Sequence, residues 1–136
     1  MSEFAFNFGI LFLRVGFGAI MIIHGFQKVK IILSGGAEKW LNPIGIGPVA
    51  SLYLSTFAEL VCAAMVILGI FTRTSSLILA FTMFVAAFVF LKNSAWAGKE
   101  LATLFFVGFV ALLFLGGGNF SVSNLLFDEG SLLRKL

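Results

Sequence analysis

The sequence predicts an all-α, polytopic membrane protein: a four-transmembrane-helix bundle with a short interfacial segment after the first helix. Three observations carry this expectation. Apolar residues make up 60% of the 136-residue chain and charged residues only 11%, against roughly 25% charged in an ordinary soluble domain. The apolar residues gather into four stretches, at about 6–26, 49–71, 75–91 and 100–115, each close to the ~20 residues that cross ~30 Å of hydrocarbon as a helix. None of them alternates apolar with polar residues as a barrel strand would, and in lipid only helices and closed barrels satisfy the backbone. One domain over residues 1–136 follows from the length, with a tail at 119–136.

The first helix is expected from about Phe6 to Phe26. At 100° per residue Asn7, Arg14, Gly18, Met21, Gly25 and Lys28 fall within about 40° of one line, so this polar and small-residue face should turn inward. Residues 27–48 form the longest connection, with Ser34-Gly35-Gly36 and a Pro- and Gly-rich end at 42–48. Its apolar pieces suit a partly helical interfacial segment with Trp40 at headgroup depth; a lid over a pocket is the functional alternative.

The second helix aligns Ser51, Ser55, Glu59 and Cys62 on one face. Serine and cysteine at this spacing permit close helix packing, which is the structural reading for all but Glu59. Thr72-Arg73-Thr74 makes so short a turn that helices two and three must be antiparallel neighbours. The third helix places Ser75, Thr82, Ala86 and Asn93 on one stripe. Glu100 opens the fourth, where a carboxylate also suits the helix dipole, and Gly116-Gly117-Gly118 ends it. Beyond that, 121–126 suits a short surface turn and 128–136 a frayed tail.

Several function classes have no footprint here. The net charge of +3 is scattered through loops and ends, which suits anionic lipid rather than nucleic acid. A single cysteine, Cys62, leaves neither an internal disulfide nor a CxxC redox pair. One histidine and no cysteine cluster argue against a protein-only metal or haem site. Phosphate loops, dinucleotide fingerprints and nucleophile–base sets are missing from the sequence. Met1–Phe8 lacks a basic n-region, so it is expected to stay as part of the first helix rather than serve as a signal peptide. Arg73, Arg134 and Lys135 lie on the side of the termini and Lys28, Lys30, Lys39, Lys92 and Lys99 on the other; the positive-inside rule then leans toward cytoplasmic loops one and three.

Four ionisable side chains stand inside the apolar segments: Arg14, His24, Glu59 and Glu100. Charges at membrane depth are costly and usually pair or mark function. Depth along the helices suggests an Arg14–Glu59 pair at mid-depth and a His24–Glu100 contact at the far mouth. Each has a plainer alternative. Arg14 and Glu59 could be a bridge that fixes helix register, and His24 a hydrogen-bonded residue at the membrane edge.

These residues fall into a familiar order. Leu13-Arg14-Val15-Gly16 and His24-Gly25-Phe26-Gln27-Lys28, then Ala58-Glu59-Leu60 and Leu68-Gly69-Ile70-Phe71-Thr72-Arg73, resemble the first two helices of the DoxX family. Lys99-Glu100-Leu101-Ala102 and Gly116-Gly117-Gly118-Asn119-Phe120-Ser121 resemble its last helix and exit motif. The resemblance runs from about residue 10 to 126. Gly117 departs from the usual Pro, Asn124 stands where Asp is often seen, and Lys92-Asn93 replaces a loop histidine.

The resemblance implies a multi-pass protein of the bacterial inner membrane, similar to the membrane subunit of thiosulfate:quinone oxidoreductase. It implies Glu59, His24 and Glu100 as candidate catalytic groups and Arg14, Lys28 and Arg73 as candidate substrate-binding groups, with no metal. A quinone is the ligand expected between the helices; no covalently bound cofactor is expected. Further expected partners are the lipid bilayer, a soluble or membrane-bound redox protein, and a second copy of the chain. The alternatives are a non-enzymatic bundle that binds or transports a small molecule or lipid, and an anchor or assembly factor for a partner.

Overall fold

The computed structural model describes residues 2–40, 45–90, 93, 95–126 and 132–136. Among the described residues four helical spans are long and apolar enough to cross a membrane: α1 Glu3–Leu33, α2 Pro48–Leu68, α3 Thr72–Phe84, whose span reaches Val89 with the turn that follows it, and α4 Trp96–Leu115. α3 continues into a π-helical turn at Val85–Phe90. A 3₁₀ turn at Ala37–Lys39 follows α1, and two short helices, α5 Val122–Leu126 and α6 Leu132–Lys135, follow α4. The expected all-α bundle is what forms.

α1 is the longest helix, 31 residues. Ser2 Oγ accepts from the Ala5 amide and caps its start. Hydropathy falls at Gln27, but nothing there breaks a helix. The helix therefore runs through Lys28 and Lys30 and stops only before Gly35, where φ reaches +79°. The inward face is Asn7, Ile10, Arg14, Gly18, Met21 and Gly25, the expected stripe with Ile10 added and Lys28 only half-buried at its end.

Two glycines on that stripe set how closely α1 meets α2. A Cβ on Gly18 would lie 2.4 Å from Ile67 Cγ1, and one on Gly25 would lie 2.7 Å from Leu60 Cδ2. Backbones approach most closely where small residues line the contact, and in lipid such packing replaces the hydrophobic drive. The pairing of residues 18 with 63–67 and 25 with 59–60 fixes the register. Arg14 is therefore level with the end of α2, and the first turns of α1 project past it.

α2 ends at Leu68 rather than 71. Gly69 takes φ +78°, and its amide and that of Ile70 both close back on Met65 O. These bonds make a left-handed glycine stop of the kind that often ends helices. Phe71 is the one non-glycine residue at positive φ (+48°) among those described, and α3 starts directly after it. The turn thus sits three residues earlier than Thr72-Arg73-Thr74.

The core is built where α1, α2, α3 and α4 face each other, around Met21, Cys62, Ala63, Val66, Leu79, Met83, Phe105 and Phe109. On α3 the buried stripe is Thr72, Ser75, Ser76, Leu79, Ala80 and Met83. Ser75 matches expectation, while Thr82 and Ala86 are only half-buried and Asn93 is exposed. Large residues such as Phe8, Phe12, Phe81, Val107 and Phe114 face outward, as suits a lipid-facing surface.

The tail is more ordered than a frayed end at its last residues. α6 packs on α5, and Leu136 O accepts from the Thr74 amide at 2.8 Å. The expected features at 42–44, at Lys92 and at 128–131 lie outside the described residues, as does the Arg134 side chain.

Candidate functional site

A π-helical turn, Ala58–Cys62, interrupts α2. Such turns carry one residue more than the α-helical ladder and recur at functional sites. This one presents Glu59 toward α1. The carboxylate is buried, its side chain 3% exposed, and its Oε1 accepts from Lys28 Nζ at 2.6 Å. Lys28 Nζ also donates to Ser55 Oγ, one α-helical turn before Glu59. The Trp40 ring covers the ammonium at 5.8 Å from its centroid, a cation–π distance.

These groups line one end of a cleft of about 300 Å³ between α2 and α3. The second π turn contributes Val85 and Ala86 to its wall, and Leu54, Phe57, Ile78, Phe81 and Met83 make most of the rest apolar. Leu54, Phe57 and Phe81 are each more than half exposed, so the cleft opens sideways toward the lipid face. Two oxygens of its lining residues, Glu59 Oε2 and Ser51 Oγ, are buried without a hydrogen-bond partner. A buried polar atom left unpaired is costly and calls for an explanation. An apolar hollow with a few converging polar groups is the usual form of a small-molecule site.

Arg14 has other partners than Glu59. The residue is 1% exposed. Nε donates to Val66 O and Nη2 to Ile67 O, while Nη1 donates to Gly117 O and Phe120 O, all within 2.7–2.9 Å. The planar fork of arginine suits this fan of acceptors. The positive charge sits at the C-terminal end of α2, where free carbonyls attract cations. The expected Arg14–Glu59 pair fails on register: with residue 14 level with 66–67, Glu59 lies some seven or eight residues away along α2, roughly 11 Å.

The expected His24–Glu100 contact does not form either. His24 packs edge-on against Phe105, ring centroids 6.2 Å apart, whereas Glu100 is exposed near the start of α4. Glu100 and Phe105 are five positions apart, roughly 7–8 Å of helix. Arg73 is exposed at the opposite end of the bundle, beside Gly116.

The six candidates therefore separate. Lys28 and Glu59 share the cleft, Arg14 and Arg73 lie toward the end that holds the α2–α3 turn, and His24 and Glu100 stand apart. The sequence reads Ser51 and Ser55 as packing residues and Trp40 as an interfacial anchor, with a lid over a pocket as the alternative for its segment, and all three line the cleft. Their signal was visible: Ser51, Ser55 and Glu59 recur every four residues, directly below one another on a helix.

Among known families, the DoxX family model matches residues 9–92, more than half of the chain. The match takes in Arg14, His24, Lys28, Glu59 and Arg73 and stops short of Glu100 and the exit motif. No curated protein and no solved structure matches the chain significantly.

Proposed function

The chain belongs to the DoxX family, and from that premise we propose that the cleft at Lys28 and Glu59 binds a quinone-class amphiphile. In this reading the protein is a subunit of a quinone-linked oxidoreductase system of the inner membrane. The supporting observation is the unpaired Glu59 Oε2, buried beside Lys28 on an otherwise apolar cleft.

The lining fits such a head group. A flat ring with two carbonyl oxygens needs apolar walls and one or two donors; a quinol needs acceptors instead. Lys28 Nζ and the Ser51 hydroxyl can donate to a carbonyl oxygen, and Glu59 Oε2 can accept from a quinol hydroxyl. The sideways opening admits an isoprenoid tail lying in the bilayer. When bound, the quinone supplies two-electron, two-proton redox chemistry, with the electrons delivered by a soluble or membrane-bound partner. Lys28 and Glu59 orient its polar end, and Glu59 stands where a proton is exchanged. Arg14, which directs four of its five N–H donors to carbonyls, holds the frame in place.

The test is mass spectrometry of small molecules extracted from gently purified protein, wild type beside Glu59→Gln and Lys28→Met. Quinone retained by the wild type and lost from both variants supports the reading. Only bulk phospholipid in all three favours a bundle that binds or moves lipid without redox chemistry.

A further inference from the structure

The opposite end of the bundle holds a second cavity, of about 250 Å³, which differs in chemistry from the cleft. It lies where α3 begins, between the α2–α3 turn and the Gly116–Asn119 exit from α4. Its walls include Thr72, Arg73, Gly116, Gly117, Ser123 and Lys135. Neither Glu nor Asp side chains occur among its lining residues, although two cationic ones do.

Two hydroxyls give the cavity its character. Thr72 is 4% exposed and Ser123 6%, and the Oγ1 of the first and Oγ of the second have no hydrogen-bond partner. Nearby Ser121 is by contrast fully engaged, donating to Gly118 O and accepting from the Asn124 amide. Leaving two buried hydroxyls unpaired in one small polar hollow is unfavourable unless a ligand with acceptor oxygens meets them.

The side-chain charges at the cavity, Arg73 and Lys135, are both positive and outnumber the one carboxylate there, the chain-terminal group of Leu136. The Arg73 guanidinium lies against Gly116, so closely that a Cβ there would stand 3.1 Å from its Nε. Gly117 brings backbone to the Thr72 hydroxyl, since a Cβ on it would stand 2.9 Å from Oγ1. Behind this floor sits Arg14, donating to Gly117 O and Phe120 O. Its hydrogen bonds are committed, but its charge still raises the potential in the cavity. The first turn of α3 adds little, because Leu136 O already accepts from the Thr74 amide.

We infer that this cavity binds a phosphate-class oxyanion, carried on a lipid headgroup or free in solution. Such an anion has several acceptor oxygens, enough to take both hydroxyls and the Arg73 fork at once. Charge-assisted bonds of this type are the strong ones. Arg73 and Lys135 are exposed, so the anion enters from the surface and the two hydroxyls form the floor. The site does not depend on the quinone reading, because none of its residues lines the Lys28–Glu59 cleft.

The test is calorimetric titration of the full chain in phosphate-free maltoside detergent. One arm uses inorganic phosphate and the other dibutyryl phosphatidylglycerol, short enough to stay monomeric. At least one probe should bind saturably. Arg73→Gln should weaken it about tenfold, as the loss of one charge-assisted bond implies, and Ser123→Ala by a smaller factor. Lys99→Gln, at the other end of the bundle, should leave it unchanged. Binding confined to the lipid probe identifies a headgroup site, and equal binding of phosphate identifies a free anion. Arg73 is exposed and Ser123→Ala removes a single oxygen, so both variants should fold, as circular dichroism checks. Absence of saturable binding by either probe overturns the inference, as does equal affinity in wild type, Arg73→Gln and Ser123→Ala.

Discussion

Lys28 Nζ lies 2.6 Å from Glu59 Oε1 and joins the extended end of α1 to the π turn of α2. Both groups are largely withdrawn from solvent, 18% and 3% exposed. A buried pair contributes little net stability, but removing one partner strands the other charge and costs about 3–5 kcal/mol. Lys28→Met alone should therefore destabilise the bundle by about 3 kcal/mol or less, since Lys28 keeps some solvent. The double variant Lys28→Met/Glu59→Met should recover most of that loss. Thermal unfolding in detergent of the two singles and the double measures the coupling; additive losses would refute it.

Arg14 makes a separate prediction. Its four carbonyl partners come from two segments, the end of α2 and the exit from α4. Lysine keeps the charge but is a point donor without the fork. Arg14→Lys, with three donors for four carbonyls, should give up at least one of these bonds and cost about 1–3 kcal/mol, with an unsatisfied carbonyl left behind. Hydrogen exchange should quicken at the amides of 119–124 more than in the cleft. Unchanged exchange there would mean that Arg14 does not hold the exit segment.

How far the sequence could be read is clearest on α1. Asn7, Arg14, Gly18, Met21 and Gly25 are buried together because a regular helix keeps strict spacing, and spacing is written in the sequence. Register is not. It depends on α1 continuing to Leu33 and on α2 stopping at Gly69, and a shift of a few residues gave Glu59 a different partner. The π turn at Ala58–Cys62 also rotates the residues beyond it off the 100° spacing. Arg14's partners are backbone carbonyls, which every residue carries, so no pattern of side chains announces them.

The glycines of α1 offer an internal comparison. A Cβ on Gly18 would meet Ile67 Cγ1 at 2.4 Å and Ala63 O at 3.0 Å, whereas one on Gly9 or Gly16 meets nothing within 4 Å. Gly18→Ala should destabilise by about 1–3 kcal/mol through overpacking. Gly9→Ala and Gly16→Ala should instead stabilise by about 0.5–1 kcal/mol, the helix-interior advantage of alanine. Unfolding midpoints of the three variants should fall on opposite sides of the wild type, and a common shift would disprove the close α1–α2 contact.

Trp40 provides a direct optical test of the cleft. The chain has two tryptophans: Trp40 lines the cleft above Lys28, while Trp96 is exposed at the start of α4. A quinone seated against Glu59 would be close to the Trp40 indole, and quinones accept excitation readily at short range. In Trp96→Phe, whose remaining fluorescence comes from Trp40, a soluble short-tailed quinone should quench saturably. In Trp40→Phe, where Trp96 alone emits, only weak, non-saturating collisional quenching should remain. Trp40→Ala should also release one face of the Lys28 ammonium, at a cost of about 0.5–1 kcal/mol. Adding Glu59→Gln to Trp96→Phe separates occupancy from chance encounter, because it leaves the indole in place and alters only the polar end of the cleft. Saturable quenching that survives Glu59→Gln would place the quinone elsewhere on the bundle and remove Glu59 from its recognition.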